Sequence, residues 1–236
     1  MESDISDFVG VDKWTESAVS VLVCDDVAYW RRRLTAALEV SPWIEVMAEV
    51  DDGDRLVEVV AESAPDVVWL GLHLPGPAGP RLIAAVREVV PSARVVVVAN
   101  PDEEELRLRA LRAGAVGIVG RAGAAQVAAG VTERVAWGQC VLEAPDLAGL
   151  LETYAGFRRQ AASLQQQLEP PTIDDRDRAV LSRLASGATT GEVGAELGLE
   201  ASTVSQVVTQ AVTRLHRYAR TDTVVYAVGE QLFDAG

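Results

Sequence analysis

Pro65-Asp66-Val67-Val68-Trp69-Leu70-Gly71-Leu72-His73-Leu74-Pro75-Gly76 is a short apolar run entered from a proline and broken by a second Pro-Gly pair. That is the pattern of a central strand in a parallel sheet covered on both faces. In such sheets, ligands and reacting groups lie just beyond the carboxyl ends of the strands. The residue at that point is Gly71. It has no side chain to act as nucleophile, ligand or base, so the position where this architecture puts its key group is empty.

Outward from this strand, the pattern alternates strand and helix. Upstream, Val21-Leu22-Val23 is a buried strand ending in Cys24-Asp25-Asp26, and Trp30, Leu34, Ala37 and Leu38 follow at helical spacing. Ile44 to Val50 forms the second strand, followed by a helix opened by Asp54 with Leu56, Val59 and Val60 turned inward. Downstream, Leu82, Ile83, Val86 and Val89 line a helix, and Val95 to Val98 is a buried strand ended by Asn100-Pro101. A helix over Asp102 to Ala113 sets Glu103 against Arg107 and Glu105 against Arg109 at i,i+4, with Gly114 closing it. Val116 to Val119 is the fifth strand and Ala124 to Trp137 the fifth helix. Five βα units in succession predict an α/β, doubly wound parallel sheet with right-handed crossovers.

From Ala144 the pattern changes. Leu147, Leu151, Tyr154, Phe157, Ala161, Leu164 and Leu168 advance by threes and fours, as in one amphipathic helix of about six turns. The spacing fits a short coiled-coil seam or packing against the preceding domain equally well. Pro170-Pro171 ends it. The remainder reads as helix throughout: Asp174 to Ala185, Thr190 to Leu197 ended by Gly198, Ala201 to Tyr218, and Thr221 to Phe233. A short helix, a tight Gly198-Leu199 turn and a second helix, packed through Ala195, Leu197, Leu199, Val204 and Val208, make a helix-turn-helix. An ordinary helical bundle is the alternative. The boundaries are an acidic N-terminal tail over 1–17, a first domain over 18–143, a linker helix over 144–171 and a second domain over 172–236.

Composition narrows the function classes. A chain of 236 residues has room for two domains, each with its own core. It is 49% hydrophobic with a formal charge of −14, and no apolar run is long enough to span a bilayer. Met1 to Ser17 lacks the basic and apolar regions of a secretory signal, so a soluble cytoplasmic protein is expected. Cys24 and Cys140 match no metal or redox spacing and read as reduced, buried thiols. There is no Gly-x-Gly-x-x-Gly after the first strand, no Walker lysine and no nucleophile paired with a base, which argues against an enzyme and against a cofactor. The acidic total disfavours non-specific coating of nucleic acid or membrane and leaves room for a small DNA-reading patch.

Taken together, the motifs resemble a response regulator of the NarL/FixJ family: a flavodoxin-like receiver joined by a linker helix to an all-α, LuxR-type helix-turn-helix domain. In the first half the resemblance rests on Val21-Leu22-Val23-Cys24-Asp25-Asp26, Pro65-Asp66-Val67-Val68, Leu74-Pro75-Gly76 and Arg112-Ala113-Gly114-Ala115-Val116-Gly117. In the second half it rests on Arg176 to Leu181, Leu184-Ala185-Ser186-Gly187 and Glu192 to Val204. The resemblance implies a phosphate-accepting aspartate at the end of strand three, where this chain has Gly71. It implies a switch hydroxyl at the end of strand four, where Ala99 stands, and a phosphate-binding lysine after strand five, where Arg121 stands. The aromatic switch position three residues before it is Ile118. Acceptor, hydroxyl and aromatic are missing together, so the sequence describes a degenerate, phosphorylation-independent pocket. Asp25 and Asp26 match the acidic pair that holds Mg²⁺ in the family; two close carboxylates neutralised by Arg121 is the reading preferred over a metal site. His73 reads as an exposed loop residue rather than a phosphohistidine.

The resemblance also implies a transcription regulator bound to promoter DNA as a homodimer. Ala201 to Tyr218 would lie in the major groove, offering Ser202, Thr203, Ser205, Gln206, Thr209, Gln210 and Thr213 to the bases and Arg214, Arg217 and Arg220 to phosphates. The final helix would pair two protomers through Val224, Val225, Val228 and Leu232. Residues 172–236 carry 9 acids and 6 arginines, a poor balance for phosphate neutralisation. The competing reading is therefore an interaction protein that pairs with a related regulator without binding DNA. Control by a ligand in the vacated pocket, by a partner or by abundance would replace phosphorylation.

Overall fold

The computed structural model describes residues 18–74, 79–163 and 173–233, with the side chains of 157–163 and 218–233 outside that set. The acidic tail, Pro75-Gly76, Leu164, Leu168, Pro170-Pro171 and the side chains of Phe157, Ala161, Arg220, Val224, Val225, Val228 and Leu232 fall outside the described set. The chain divides into two compact units, one of residues 1–103 with 115–141 and one of residues 104–114 with 142–236.

The first unit is a five-stranded parallel sheet, as the alternation of apolar runs predicts, and its strand order is β2-β1-β3-β4-β5. Its strands are β1 (Val19–Cys24), β2 (Ile44–Val50), β3 (Val67–Gly71), β4 (Arg94–Ala99) and β5 (Gly117–Gly120). Its helices are α1 (Ala28–Leu38), α2 (Gly53–Ser63), α3 (Gly79–Val89) and α5 (Ala124–Ala136). All five residues of β3 are buried, which is why that strand shows no alternation. Asp66 fixes its entry: its Oδ2 accepts from the Ser20 backbone N–H at 3.0 Å and from the Ser20 hydroxyl at 2.6 Å, tying β3 to β1. Trp69 is fully buried, and its indole N–H donates to the Thr132 hydroxyl on α5 at 2.9 Å, satisfying the one polar atom it carries into the core.

Local details depart from expectation. The helix after β2 starts at Gly53 rather than Asp54, because Asp52 caps it by accepting from Arg55 N–H at 2.8 Å. Val89 is 42% exposed at the end of α3, one turn past the buried Leu82, Ile83 and Val86. The expected Glu103–Arg107 pair does not form. Glu103 turns back to accept from Asn100 N–H at 2.7 Å and from its amide at 3.1 Å, and pairs with His73. His73 thus has a carboxylate partner while remaining exposed at its ring.

The second unit contains α4 (Glu104–Ala113), α6 (Ala144–Ser163), α7 (Asp175–Ala185), α8 (Thr190–Leu197) and α9 (Ala201–Phe233). Residues 104–114, expected within a first domain over 18–143, group here with α6 and α9. The reason is polar as well as apolar. Arg107, 2% exposed, forms a bidentate pair with Asp146, with both bonds at 2.8 Å, and reaches Glu143 at 2.8 Å. The Leu111 carbonyl accepts from His216 at 2.8 Å, and Arg112 reaches the Thr153 hydroxyl at 3.3 Å. Burial pushes the Asp146 carboxyl up, with Arg107 pulling the other way. On α6 the buried stripe is Leu147, Leu150 and Tyr154, with Leu151 only half-buried. The Tyr154 hydroxyl donates to the Ala211 carbonyl at 2.7 Å, and burial pushes that phenol up to about 12.

The junction of α8 and α9, where the sequence predicts a helix-turn-helix, is built by three local devices. Thr189 and Glu192 form a reciprocal capping box at the start of α8. Gly198 ends α8 in the left-handed region at φ +67°, a conformation that excludes most side chains. Gly194 lets the turn close: a Cβ there would lie 2.5 Å from the Leu199 carbonyl oxygen. Val193 and Gly194 are therefore the packed positions of α8, whereas Ala195 and Leu197, expected inside, are exposed. The chain from Ala201 to Phe233 is one continuous helix rather than two, since no glycine or proline interrupts it around Ala219-Arg220.

Candidate functional site: an occupied pocket and a polar helix face

In the first unit, the carboxyl ends of β1, β3 and β4 bring Asp25, Gly71 and Ala99 together, and Arg121 follows β5. Parallel pairing sets Gly71 beside Val98 and Ala99 beside Gly120. The Arg121 backbone N–H donates to the Ala99 carbonyl at 2.9 Å, which points its side chain back over the sheet end. There the guanidinium pairs with Asp25 Oδ2 at 2.9 Å, the two side chains being 12% and 6% exposed. The other carboxylate oxygen of Asp25 accepts from Val27 N–H at 2.9 Å.

This ion pair occupies the space above Gly71. A Cβ at position 71 would lie 2.4 Å from Asp25 Oδ2, 3.0 Å from its Cγ and 3.4 Å from Arg121 Nη2. The glycine is thus part of the arrangement: any side chain at 71 displaces the carboxylate. Trp30 completes the wall, with the Arg33 and Arg121 guanidiniums each 5.8 Å from its ring centroid. The remaining cavity, lined by Cys24, Asp25, Trp30, Arg33, Gly71, Val98 and Arg121 among others, has room for about one water molecule. Burial, with the Asp25 charge adding to it, pushes the Cys24 thiol up to about 12 and leaves it unreactive. Ile118, which the resemblance sets at an aromatic switch position, is fully buried.

A Mg²⁺ ion of the kind the receiver resemblance implies does not fit these residues. Both oxygens of Asp25 are engaged, Asp26 is exposed, and Gly71 supplies no third carboxylate. The described residues contain no cluster of three or more potential metal ligands. Asp26, expected beside Asp25 in a shared pair, takes no part in the Asp25–Arg121 contact.

In the second unit, α9 sorts its residues sharply. Val204, Val207, Val208, Ala211, Val212, Leu215 and His216 are buried. Ser202, Gln206, Gln210, Thr213 and Arg217 are exposed, while Thr203, Ser205, Thr209 and Arg214 are half-buried. The hydroxyls of Ser205, Thr209 and Thr213 donate to carbonyls four residues back on their own helix, at 3.2, 3.2 and 2.8 Å. Arg214, expected to reach phosphate, is held by Asp177 Oδ2 at 2.8 Å and lies 3.4 Å from Gln210 Oε1. Sequence reading missed Asp177, since an acid in the first turn of α7 reads as helix N-terminal charge. It also missed Trp30 as the platform for Arg121, because helical spacing marks that residue as core.

The response regulator receiver domain model matches residues 21–126. "Probable transcriptional regulatory protein NarL" of Mycobacterium tuberculosis is 32% identical over 171 residues, covering 72% of this chain and 74% of that protein. The solved signal receiver domain of the same organism's NarL is 30% identical with a TM-score of 0.50, covering 52% of this chain and 99% of that one. Salmonella typhimurium RcsB, at 18% identity and a TM-score of 0.53 over 87% of this chain and 99% of that one, shares the fold. No described helix is long and apolar enough to cross a membrane. From the parallel five-stranded receiver, the C-terminal helices and this similarity to NarL over most of both chains, the protein belongs to the NarL family of response regulators.

Proposed function

We propose that this protein is a DNA-binding transcription regulator whose receiver works without aspartyl phosphorylation. The observation that carries the second part is the Asp25–Arg121 pair seated over Gly71. An acyl phosphate needs a carboxylate acceptor, a metal and room for three phosphoryl oxygens; the pocket offers a glycine, an engaged carboxylate and space for about one water. The first part draws on the family, whose NarL member is named a transcriptional regulatory protein, and on the exposed polar face of α9. Thr203, Ser205, Gln206, Thr209, Gln210, Arg214 and Arg217 form the candidate DNA surface. The C-terminal part of α9, with Val224, Val225, Val228 and Leu232, is the candidate homodimer contact.

The test uses the full chain and a duplex from upstream of its own gene. Expected are a retarded complex, an affinity unchanged by prior incubation with a small phosphodonor and Mg²⁺, and an unchanged intact mass. An acid-labile phosphoryl adduct that alters affinity would refute independence from phosphorylation. A second reading, an interaction protein that pairs with another regulator without binding DNA, is favoured by the absence of any basic residue in α9 before Arg214 and by the Arg214–Asp177 pair. Absence of any complex with duplex DNA at low salt would select it. Control by a small molecule in the pocket has little support from the size of the cavity.

A further inference from the structure

We infer that the sequence read by α9 is an A·T-directed half-site, with Gln206 and Gln210 as its specificity-determining residues. This rests on the proposal that the protein binds duplex DNA, and it narrows that proposal to a class of base. The seven residues of the candidate DNA surface are not equivalent once their partners are known. Ser205 and Thr209 spend their hydroxyl protons on their own helix, as does the neighbouring Thr213. Arg214 is committed to Asp177. Gln206 and Gln210, four residues apart, share an exposed face with Ser202 ahead of them and Arg217 beyond. They stand about 6 Å apart along the helix axis, a distance spanned by about two base-pair steps.

The chemistry of the amide then selects the base. A glutamine presents one acceptor and one donor side by side, which matches the N6–H donor and N7 acceptor of adenine in the major groove. Guanine presents two acceptors, N7 and O6, and is read by the paired donors of arginine or lysine. Residues 201–213 contain neither. Exposed Ala201 at the helix start supplies methyl surface of the kind that meets a thymine methyl group. Arg214 donates to Gln210 Oε1 at 3.4 Å, a long contact that Gln210 exchanges for the adenine N6–H when its amide reads a base.

The experiment is selection from a random-sequence duplex library by the full-length protein, alongside Gln206→Ala, Gln210→Ala and Gln206→Arg. Expected are half-sites with A·T pairs at the invariant positions. Replacing those adenines by 7-deazaadenine, which lacks the N7 acceptor, should weaken the parent by about 5- to 100-fold and the matching alanine variant by no further step. Gln206→Arg should move its position from A·T to G·C. Both glutamines are exposed, so these variants retain the fold. Invariant guanines at which 7-deazaguanine costs the affinity while 7-deazaadenine costs nothing would overturn the inference and leave DNA binding standing. Enriched sites unchanged in both alanine variants would overturn it equally. Failure to retain any duplex at low salt would overturn the DNA-binding proposal itself, and this inference with it.

Discussion

Gly71→Asp restores in name the acceptor that response regulators use, and the geometry specifies why it fails in this pocket. The new Cβ alone would sit 2.4 Å from Asp25 Oδ2, so the Asp25 carboxylate must leave Arg121 before the added carboxyl group is placed. Removing one partner from a buried ion pair costs about 3–5 kcal/mol. With side chains 12% and 6% exposed, the lower end applies, about 3 kcal/mol. At about 2–4 °C per kcal/mol for a chain of this size, Tm at pH 7 should fall by about 6–12 °C. Gly71→Ala, which adds the methyl without the charge, should show most of that loss. The two variants separate on acidification. A second carboxylate against Asp25 raises at least one folded-state carboxyl of the variant above its unfolded value of about 3.9. Stability linked to a raised pKa is fully present below the unfolded value and is lost as pH rises through the folded one. The Gly71→Asp deficit should therefore narrow from pH 7 toward pH 4, and the Gly71→Ala deficit should narrow less. Thermal melts across that range, with intact-mass measurement after a small phosphodonor, test the account. A Gly71→Asp protein that melts with the parent at pH 7 and phosphorylates efficiently would refute it.

Arg107→Ala leaves Asp146 buried without its bidentate partner and should cost about 3–5 kcal/mol in urea unfolding, with Arg107→Met losing less because it keeps the packed stem. Burial works to raise the Glu103 carboxyl, but the Asn100 amide and His73 outweigh it and hold the group below the usual carboxylate range. Its contribution is present above the unfolded value of about 4.3 and is lost as pH falls through the folded one, so Glu103→Gln should flatten the acid limb of a Tm–pH profile. If α9 binds DNA, Arg217→Ala should reduce the slope of log affinity against log salt by about 1 per protomer without changing the preferred sequence. Val225→Asp should convert a dimer to a monomer in sedimentation velocity; a surviving dimer places the interface elsewhere.

The order of strands and helices was legible in the sequence because each element's signal is local. Val95 to Val98 declares a covered strand within four residues, and Val204, Val208, Ala211 and Leu215 declare a buried helix face by their spacing alone. The glycine at the end of β3 was legible for the same reason: Gly71 closes the apolar run, and Pro75-Gly76 follows it in the sequence. The ends of elements were less legible, since Asp52 captures the start of α2 through a side-chain bond and the helix through Ala219-Arg220 meets no residue that would stop it.

Partnership was decided by the tertiary structure. Arg121 and Asp25 meet because parallel strands deliver their carboxyl ends to one edge of the sheet, and nothing within either neighbourhood names the other. Arg107 is an unremarkable i,i+4 candidate in the sequence, yet it is buried against Asp146 because a long guanidinium can satisfy two acids, Asp146 in the first turn of α6 and Glu143 just before it. Arg214 looks like a phosphate ligand until Asp177 of α7 takes it, which leaves the glutamines as the outward amides. Periodicity reports which side of an element is covered, because burial follows the local geometry of strand and helix. Which charged group a residue satisfies depends on distances set by the whole fold, and those fixed both the closed pocket over Gly71 and the amides that α9 turns outward.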